Sequence, residues 1–273
     1  MSTFRGESTF AVVGARGFIG RTVASEIERR GMSLVRLRHD DPVPRNPRIV
    51  IYCTGIRSGS RPESRFAQHV HVDVPRALLA QSACERFVYL SSTRVYDSMP
   101  STCEDEDVVG RHHDDVFVRT KRSGEATVLS DPRGVVIRLA NVFGCNFGSQ
   151  VFLSDILRQA ARANHIDIRS SLASEKDYVS VGDVAALIPQ IAREGNRQIY
   201  NIATGKNTTH ASIIAAFEER GVTVSVPADA PDQKFAPIQI ERLRSEFTVP
   251  VQSVIDELPW LMNEFRKAFV PAQ

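Results

Sequence analysis

The sequence predicts an α/β fold, and three observations carry that reading. Short apolar runs alternate with amphipathic stretches along most of the 273 residues, the pattern of strands feeding helices. The first run, Phe10 to Val13, ends in Gly14, Gly17 and Gly20, and the apolar-spaced Phe18 to Ile27 follows at once. The compact runs RIVIYC, RFVYL and GVVIRL, ending at Cys53, Leu90 and Leu139, read as buried strands.

The stretch TFAVVGARGFIG, residues 9 to 20, reads as strand, tight turn and helix start. A helix N-terminus carries unpaired N–H groups and partial positive charge. Glycines there let a pyrophosphate come within hydrogen-bond reach of the backbone. The spacing is GxxGxxG and not the usual GxGxxG, so an ordinary tight turn is the competing reading.

The first helix ends near Arg29 to Gly31, with Gly31 suited to a C-terminal cap. Ser33 to Leu37 reads as the second strand. In a dinucleotide site its end faces the adenosine ribose, where an acidic residue favours NAD and a basic one a 2′-phosphate. Arg38 falls there and Arg16 lies inside the glycine loop, which favours NADP. Asp40 or Asp41 reaching the ribose is the alternative, with NAD as cofactor. Three prolines in PVPRNP, 42 to 47, forbid a regular helix. After the strand at 48 to 53, Thr54 and Gly55 form a small end beside which a cofactor can lie, and Ile56 to Pro62 is a polar loop. Glu63 to Cys84 reads as helix, kinked or restarted at Pro75.

The strand Arg86 to Leu90 leads into SSTRVY, Ser91 to Tyr96. Ligands of open α/β sheets bind beyond the carboxyl ends of strands, which is where these hydroxyls stand. A charged loop, Met99 to Asp115, contains EDED and His112-His113-Asp114-Asp115. Val116 to Leu129 reads as helix, and the strand Gly134 to Leu139 leads into Asn141-Val142-Phe143-Gly144. Beyond lie a helix at 151 to 163 and short strands at 166 to 168 and 178 to 181. A helix at 183 to 193 and the last core strand, 198 to 202, follow. The C-terminal part reads as a helix at 209 to 220, an edge strand at 222 to 226, a loop and a short helix at 241 to 247. A terminal helix, 253 to 269, is expected to break near Pro259.

Composition narrows the function classes. Apolar residues make up 42% and the net charge is +2, so neither nucleic acid nor an anionic membrane surface is indicated. No apolar run approaches the ~20 residues of a membrane span, and MSTFRGESTF shows no secretory h-region. The four cysteines are far apart, without a CxxC pair. Neither a metal site nor a disulfide framework is expected, and the cytoplasm is the expected setting. Only five of the 34 basic residues are Lys: Lys121, Lys176, Lys206, Lys234 and Lys267. A position that merely needs charge is usually Arg here, so each Lys invites a reason.

Taken together, these motifs resemble the extended short-chain dehydrogenase/reductase family, in particular its NAD(P)-dependent nucleotide-sugar epimerases and dehydratases. The glycine loop ending in GFIG, SSTRVY with a later Glu104, RLANVFG (138 to 144), KDYVSVGDVA (176 to 185) and YNIATG (200 to 205) occur in the family's order. The resemblance implies a doubly wound parallel sheet, Rossmann-like, with a smaller C-terminal α+β substrate lobe. It places the dinucleotide-binding domain at 1–141 plus 177–203 and the lobe at 142–176 plus 204–273. Gly14, Arg16, Gly17, Phe18, Ile19, Gly20, Arg38, Thr54, Gly55 and Lys121 would hold the cofactor, NADP or alternatively NAD. Ser92, Thr93, Asn141 and Lys176 would contact a sugar nucleotide or a related hydroxy or keto compound. Homodimers through the helices at 63 to 84 and 117 to 130 are also implied.

The family's central device is Tyr-x-x-x-Lys, whose spacing puts both side chains on one helix face. In the family the Lys lowers the phenol's pKa and binds the nicotinamide ribose, and the Tyr moves a proton. The matching positions here are Phe117 and Lys121, with Ser92 as the hydroxyl that polarises the reacting oxygen. Phe117 has no ionisable oxygen. Three explanations stand. The chain is a Tyr-to-Phe knock-out, natural or engineered; or the acid/base has moved, with Tyr96, His112 or His113 as candidates; or the protein binds dinucleotide as a non-catalytic regulator or scaffold. Other departures are His71 near a common Asn, Asp97 in place of Gly, Lys176 in place of an Arg that grips diphosphate, and SSLASE before it. These leave a smaller carbonyl substrate open.

Overall fold

The computed structural model describes residues 9–38, 41, 47–56, 63–249 and 252–269. Most of PVPRNP, Asp40 and most of the loop expected at 56 to 62 lie outside the described residues. The chain forms two compact units. One comprises Met1–Ala140, Val181–Ile202 and Gln239–Val249; the other comprises Asn141–Ser180, Ala203–Ile238 and Pro250–Gln273.

The first unit is built on apolar strands that bury both faces. β1 (Phe10–Val13), β3 (Ile49–Tyr52) and β5 (Gly134–Leu139) are buried at every residue, as expected of the interior of a parallel sheet covered on two sides. With β2 (Leu34–Leu37), β4 (Arg86–Ser92) and β9 (Ile199–Ile202) they form a six-stranded sheet in the order β2-β1-β3-β4-β5-β9. Every pairing is parallel. The chain goes out from β1 to β2 and returns to the other side at β3, so the switch point lies at the ends of β1 and β3. β4 runs two residues beyond the expected end, because Ser91 and Ser92 pair with Arg138 and Leu139.

Alternation along the strands assigns the two faces. Val13, Tyr52, Phe87, Tyr89 and Val136 pack with Leu78, Leu79 and Val128, from the helices on one side. Those helices are α3 (Val74–Gln81) and α4 (Val116–Leu129). The intervening Val12, Ile51, Val88 and Ile137 are fully buried on the opposite face, where α1 (Phe18–Arg29) and α6 (Val181–Glu194) pack on each other and on the strands.

The helix expected from 63 to 84 is in three pieces. α2 (Ser64–Gln68) runs into a π-helical turn (His69–Asp73), and α3 restarts with Pro75 in its first turn. Pro75 has no N–H for the carbonyl of His71, four residues back, and the widened turn absorbs that gap. Gly124 of α4 lies against this carbonyl, and a side chain there would collide with it.

The second unit holds two small sheets. β8 (Glu175–Ser180) pairs parallel with β6 (Asn141–Phe143) and antiparallel with β10 (Asn207–Thr209). β7 (His165–Asp167) pairs parallel with β11 (Thr223–Ser225). Their core is closed by α5 (Phe152–Ala163), α7 (His210–Glu218) and α9 (Val254–Phe269), through Leu153, Ile156, Ile213, Phe217, Leu258, Leu261 and Phe265. The expected break near Pro259 is absent: α9 is continuous. Val254, Leu258, Leu261, Met262 and Phe265 bury one face of it, and that burial outweighs the one backbone bond Pro259 removes. α8 (Glu241–Glu246) belongs to the first unit, where Tyr200 donates to Glu246 at 2.8 Å. Among the described residues no helix is long and apolar enough to cross a membrane.

Candidate active site

At the end of β1 the backbone itself forms a cradle. Gly14 has φ +82°, and a Cβ there would lie 2.7 Å from Thr54 Oγ1. A Cβ on Gly20 would collide with the carbonyl oxygen of Gly14 and come 3.2 Å from Cys53 Cβ. One on Gly17 would stand 3.3 Å from the same carbonyl oxygen. The three glycines therefore let α1 start hard against the ends of β1 and β3. Gly17 is the N-cap of α1 and brings no side-chain acceptor, so Phe18, Ile19 and Gly20 begin a helix whose N-terminal dipole has no side-chain oxygen at its cap. This donor set suits the diphosphate of a dinucleotide.

The end of β2 carries both signs of charge. Arg16 and Arg38 are exposed, and the Arg38 N–H donates to Asp41 Oδ2 at 2.7 Å. The carboxylate of Asp41 is thus held beside the position that sequence assigned to Arg38.

Thr54 and Gly55 stand beyond the end of β3 and Ser92 at the end of β4, while Phe117 and Lys121 lie on α4. Lys121 is 4% exposed, and its ammonium donates to Leu90 O at 2.8 Å and lies 4.7 Å from the centre of the Tyr89 ring. Burial lowers its pKa to about 7, against the opposing pull of Glu125 and Cys53. A Cβ on Gly55 would stand 3.4 Å from Lys121 Nζ, so glycine keeps the backbone at that point within reach of the ammonium. Ser92 ends β4, and its Oγ caps the following 3-10 turn, Thr93–Tyr96, by accepting the Arg94 N–H at 3.3 Å. Thr93 opens that turn and is half-buried.

Phe117 is buried one helical turn before Lys121. The His71 ring meets it edge-on at 5.7 Å, and the Arg94 guanidinium lies 5.8 Å from its ring centre. Asp115 caps α4 by accepting the N–H groups of Phe117 at 2.7 Å and Val118 at 3.4 Å. Arg94 bridges Asp115 at 2.9 Å and Asp97 at 3.0 Å. Arg94 thus ties the SSTRVY turn to the start of α4 through Asp115, and Asp97 pairs with the same guanidinium. The Arg94–Asp115 bridge has no signal in the sequence, because only folding brings those two positions together.

The relocated acid/base finds little support. Tyr96 donates to Asn201 Oδ1 at 2.9 Å and accepts from Arg138 Nη1 at 2.8 Å. Burial pushes its pKa up to about 12. Arg138 is itself held by a buried bidentate pair with Glu125, and Glu104 accepts the Asn201 N–H at 3.1 Å. Tyr96 is therefore a structural member of this network. The His112 side chain is exposed and faces Asp114 at 3.9 Å. His113 Nδ1 accepts the Asp115 N–H at 3.0 Å and so helps shape the loop before α4.

In the second unit, Asn141 is exposed and donates to Asp177 O at 2.9 Å. Lys176 on β8 lies 6.0 Å from the Phe152 ring centre and 5.7 Å from that of Phe235. Asp177 accepts from Thr204 N, Thr204 Oγ1 and Gly205 N, which fixes the last two residues of YNIATG.

The sequence model of the NAD dependent epimerase/dehydratase family matches residues 10–203. The chain belongs to this family. The glycine cradle and the Lys121 site both fall inside the matched span. Solved structures agree in fold. An NAD dependent NDP-hexosamine 5,6-dehydratase involved in tunicamycin biosynthesis superposes with TM-score 0.82 at 15% identity, over 95% of this chain and 98% of its own. RMD from Pseudomonas aeruginosa, complexed with NADPH, gives 0.79 at 17% identity, over 97% of this chain and 100% of its own. The UDP-glucose 4-epimerase of Thermotoga maritima, solved with UDP-glucose, gives 0.76 at 18%, over 95% and 99%. No curated protein matches the sequence.

Proposed function

We propose that the chain binds a nicotinamide dinucleotide, NADP in preference to NAD, and acts on a sugar nucleotide or a related hydroxy or keto compound as an epimerase, dehydratase or reductase. Membership of the family supports the reaction class. Structural neighbours solved with NADPH and with UDP-glucose support the choice of ligands. When bound, the nicotinamide would supply hydride exchange. The chain's own residues would supply the rest. The α1 N-terminus and Gly14, Gly17 and Gly20 would hold the diphosphate, with Arg16 and Arg38 at the 2′-phosphate. Lys121 would hold the nicotinamide ribose, and Ser92 would polarise the reacting oxygen. Asn141 and Lys176 would bind the substrate.

The observation that carries the mechanistic part is the buried Phe117 in a site otherwise equipped for catalysis. A phenyl ring fills the proton-transfer position without an ionisable oxygen, so turnover by the family's standard route is slow or absent. The direct experiment is Phe117→Tyr, assayed for epimerisation, reduction and oxidation across a panel of sugar nucleotides and small carbonyl compounds. A gain in rate supports a knock-out of an ancestral activity; no gain on any substrate counts against it.

A second reading is a non-catalytic dinucleotide-binding regulator or scaffold. The locked Tyr96 and the exposed His112 favour it, because neither replaces the missing acid. It expects tight dinucleotide binding and no gain from restoring the phenol. The proposal also takes the protein as a cytoplasmic homodimer, associated through the helices at 63 to 84 and 117 to 130. The wide spacing of the cysteines in the sequence, without a CxxC pair, supports a reducing compartment, and sedimentation at micromolar concentration tests the dimer.

A further inference from the structure

His71 is fully buried in the π-helical turn, and its two nitrogens have assigned partners on different elements. Thr120 Oγ1 donates to Val116 O at 2.7 Å, which uses its only proton. The 2.8 Å contact between His71 Nδ1 and Thr120 Oγ1 must then be a donation from Nδ1–H. Nε2 is left as the acceptor, and it takes the N–H of Ile56 at 3.2 Å. A directional chain thus runs from the Ile56 amide, just past β3, through the imidazole to the first turn of α4. It works only with a neutral ring carrying its hydrogen on Nδ1. Burial and the nearby Lys121 ammonium keep the ring neutral, lowering its pKa to about 2.

Gly55 lies at the junction of these groups. A Cβ there would stand 3.4 Å from Lys121 Nζ and 3.7 Å from His71 Nε2. The imidazole that fixes the Ile56 amide therefore also fixes the peptide passing beside the ammonium. We infer that His71 is a positioning residue: it sets the Gly55–Ile56 backbone relative to Lys121 and so shapes the surface that receives the nicotinamide half of a dinucleotide. The inference rests on the dinucleotide reading above. It assigns His71 no contact with substrate and no proton transfer.

The test uses the full chain and two probes. One is whichever of NADPH and NADH the wild-type chain binds more tightly, followed by its fluorescence. The other is the matching adenosine half, 2′,5′-ADP or AMP, followed by calorimetry. His71→Leu is expected to weaken the dinucleotide by about tenfold, the cost of leaving a backbone donor without its acceptor, and the adenosine half by less than twofold. Thr120→Val leaves His71 in place without its acceptor and is expected to give a smaller loss of the same kind; Thr120→Ser is expected to restore binding. Nitrogen-15 spectra of the wild-type imidazole are expected to show a protonated Nδ1 and an unprotonated Nε2 at neutral pH. Equal loss for both probes, no loss for either variant, or the opposite tautomer overturns the inference. A wild-type chain that binds neither probe overturns the dinucleotide reading itself. If His71→Leu fails to fold, the threonine pair and the spectra decide.

Discussion

The glycine cradle at β1 and the position proposed for proton transfer on α4 belong to the same unit, and they differ in completeness. The cradle is made of backbone: Gly14, Gly17 and Gly20 stand where a side chain would meet Thr54, Cys53 or the Gly14 carbonyl. Its function depends on what is absent from those residues, and the required absences are all present. In the proposed function the α4 position would depend on a single oxygen, and Phe117 has none. Its surroundings are nonetheless ordered, with His71 edge-on to the ring, Arg94 beside it and Asp115 capping the helix.

The strongest way to break this contrast is to restore the atom. Phe117→Tyr is expected to raise turnover of a responsive substrate by about 10² to 10⁴, the usual worth of a positioned acid/base. Dinucleotide affinity is expected to change little, because the oxygen is not part of the cradle. Steady-state assays beside a binding titration separate the two effects.

The converse change attacks the cradle. Gly20→Val places branched carbon against the Gly14 carbonyl and Cys53. Overpacking of this kind costs about 1–3 kcal/mol. Binding of NADPH or NADH is expected to fall by at least tenfold, with a lower melting temperature. Unchanged binding would mean that the dinucleotide lies elsewhere.

Lys121 joins the two regions, and its titration gives a third measure. Its pKa falls from the ordinary 10.5 to about 7 in the folded chain, chiefly by burial. Between those values the unfolded chain binds the extra proton, so this residue makes stability rise with pH from 7 to about 10. Without ligand, Lys121→Met is expected to flatten that rise in melting temperature, and to leave it flat in the Phe117→Tyr background only if a phenolate does not form there. A slope equal to wild type would show that the ammonium is not desolvated.

The tight turn at β1 was legible in the sequence because three glycines recur at the junction of an apolar run and an amphipathic one. Phe117 and Lys121 were legible because both lie on one helix, where spacing fixes the shared face. What stayed hidden depends on partners distant in sequence. Tyr96 reads as a relocated acid until Asn201, 105 residues on, takes its proton and Arg138 occupies its lone pair. The π-helical turn is foreshadowed by Pro75, yet the hydrogen bonds of His71 to Ile56 and Thr120 exist only once three elements meet. β6 and β10, of three residues each, are too short to show a period.

The smallest expected effect concerns the outer rim of the cradle, where the two cofactors differ by one phosphate. On the proposed reading Arg16 and Arg38 would attract a 2′-phosphate and Asp41 would repel it, all near solvent, where a single charge is worth only about 0.2–1 kcal/mol. Removing both arginines with Arg16→Ser and Arg38→Ser is expected to move the NADPH-to-NADH affinity ratio toward NADH by about fivefold. Asp41→Asn acts in the opposite sense: its amide oxygen can still accept the Arg38 N–H that Asp41 holds at 2.7 Å, while the negative charge is gone. The ratio is then expected to move toward NADPH by a few-fold at low salt, and by less at high salt, where exposed charges are screened. Should neither substitution move the ratio, the selection of cofactor does not reside at the end of β2, and the rim plays no part in recognition.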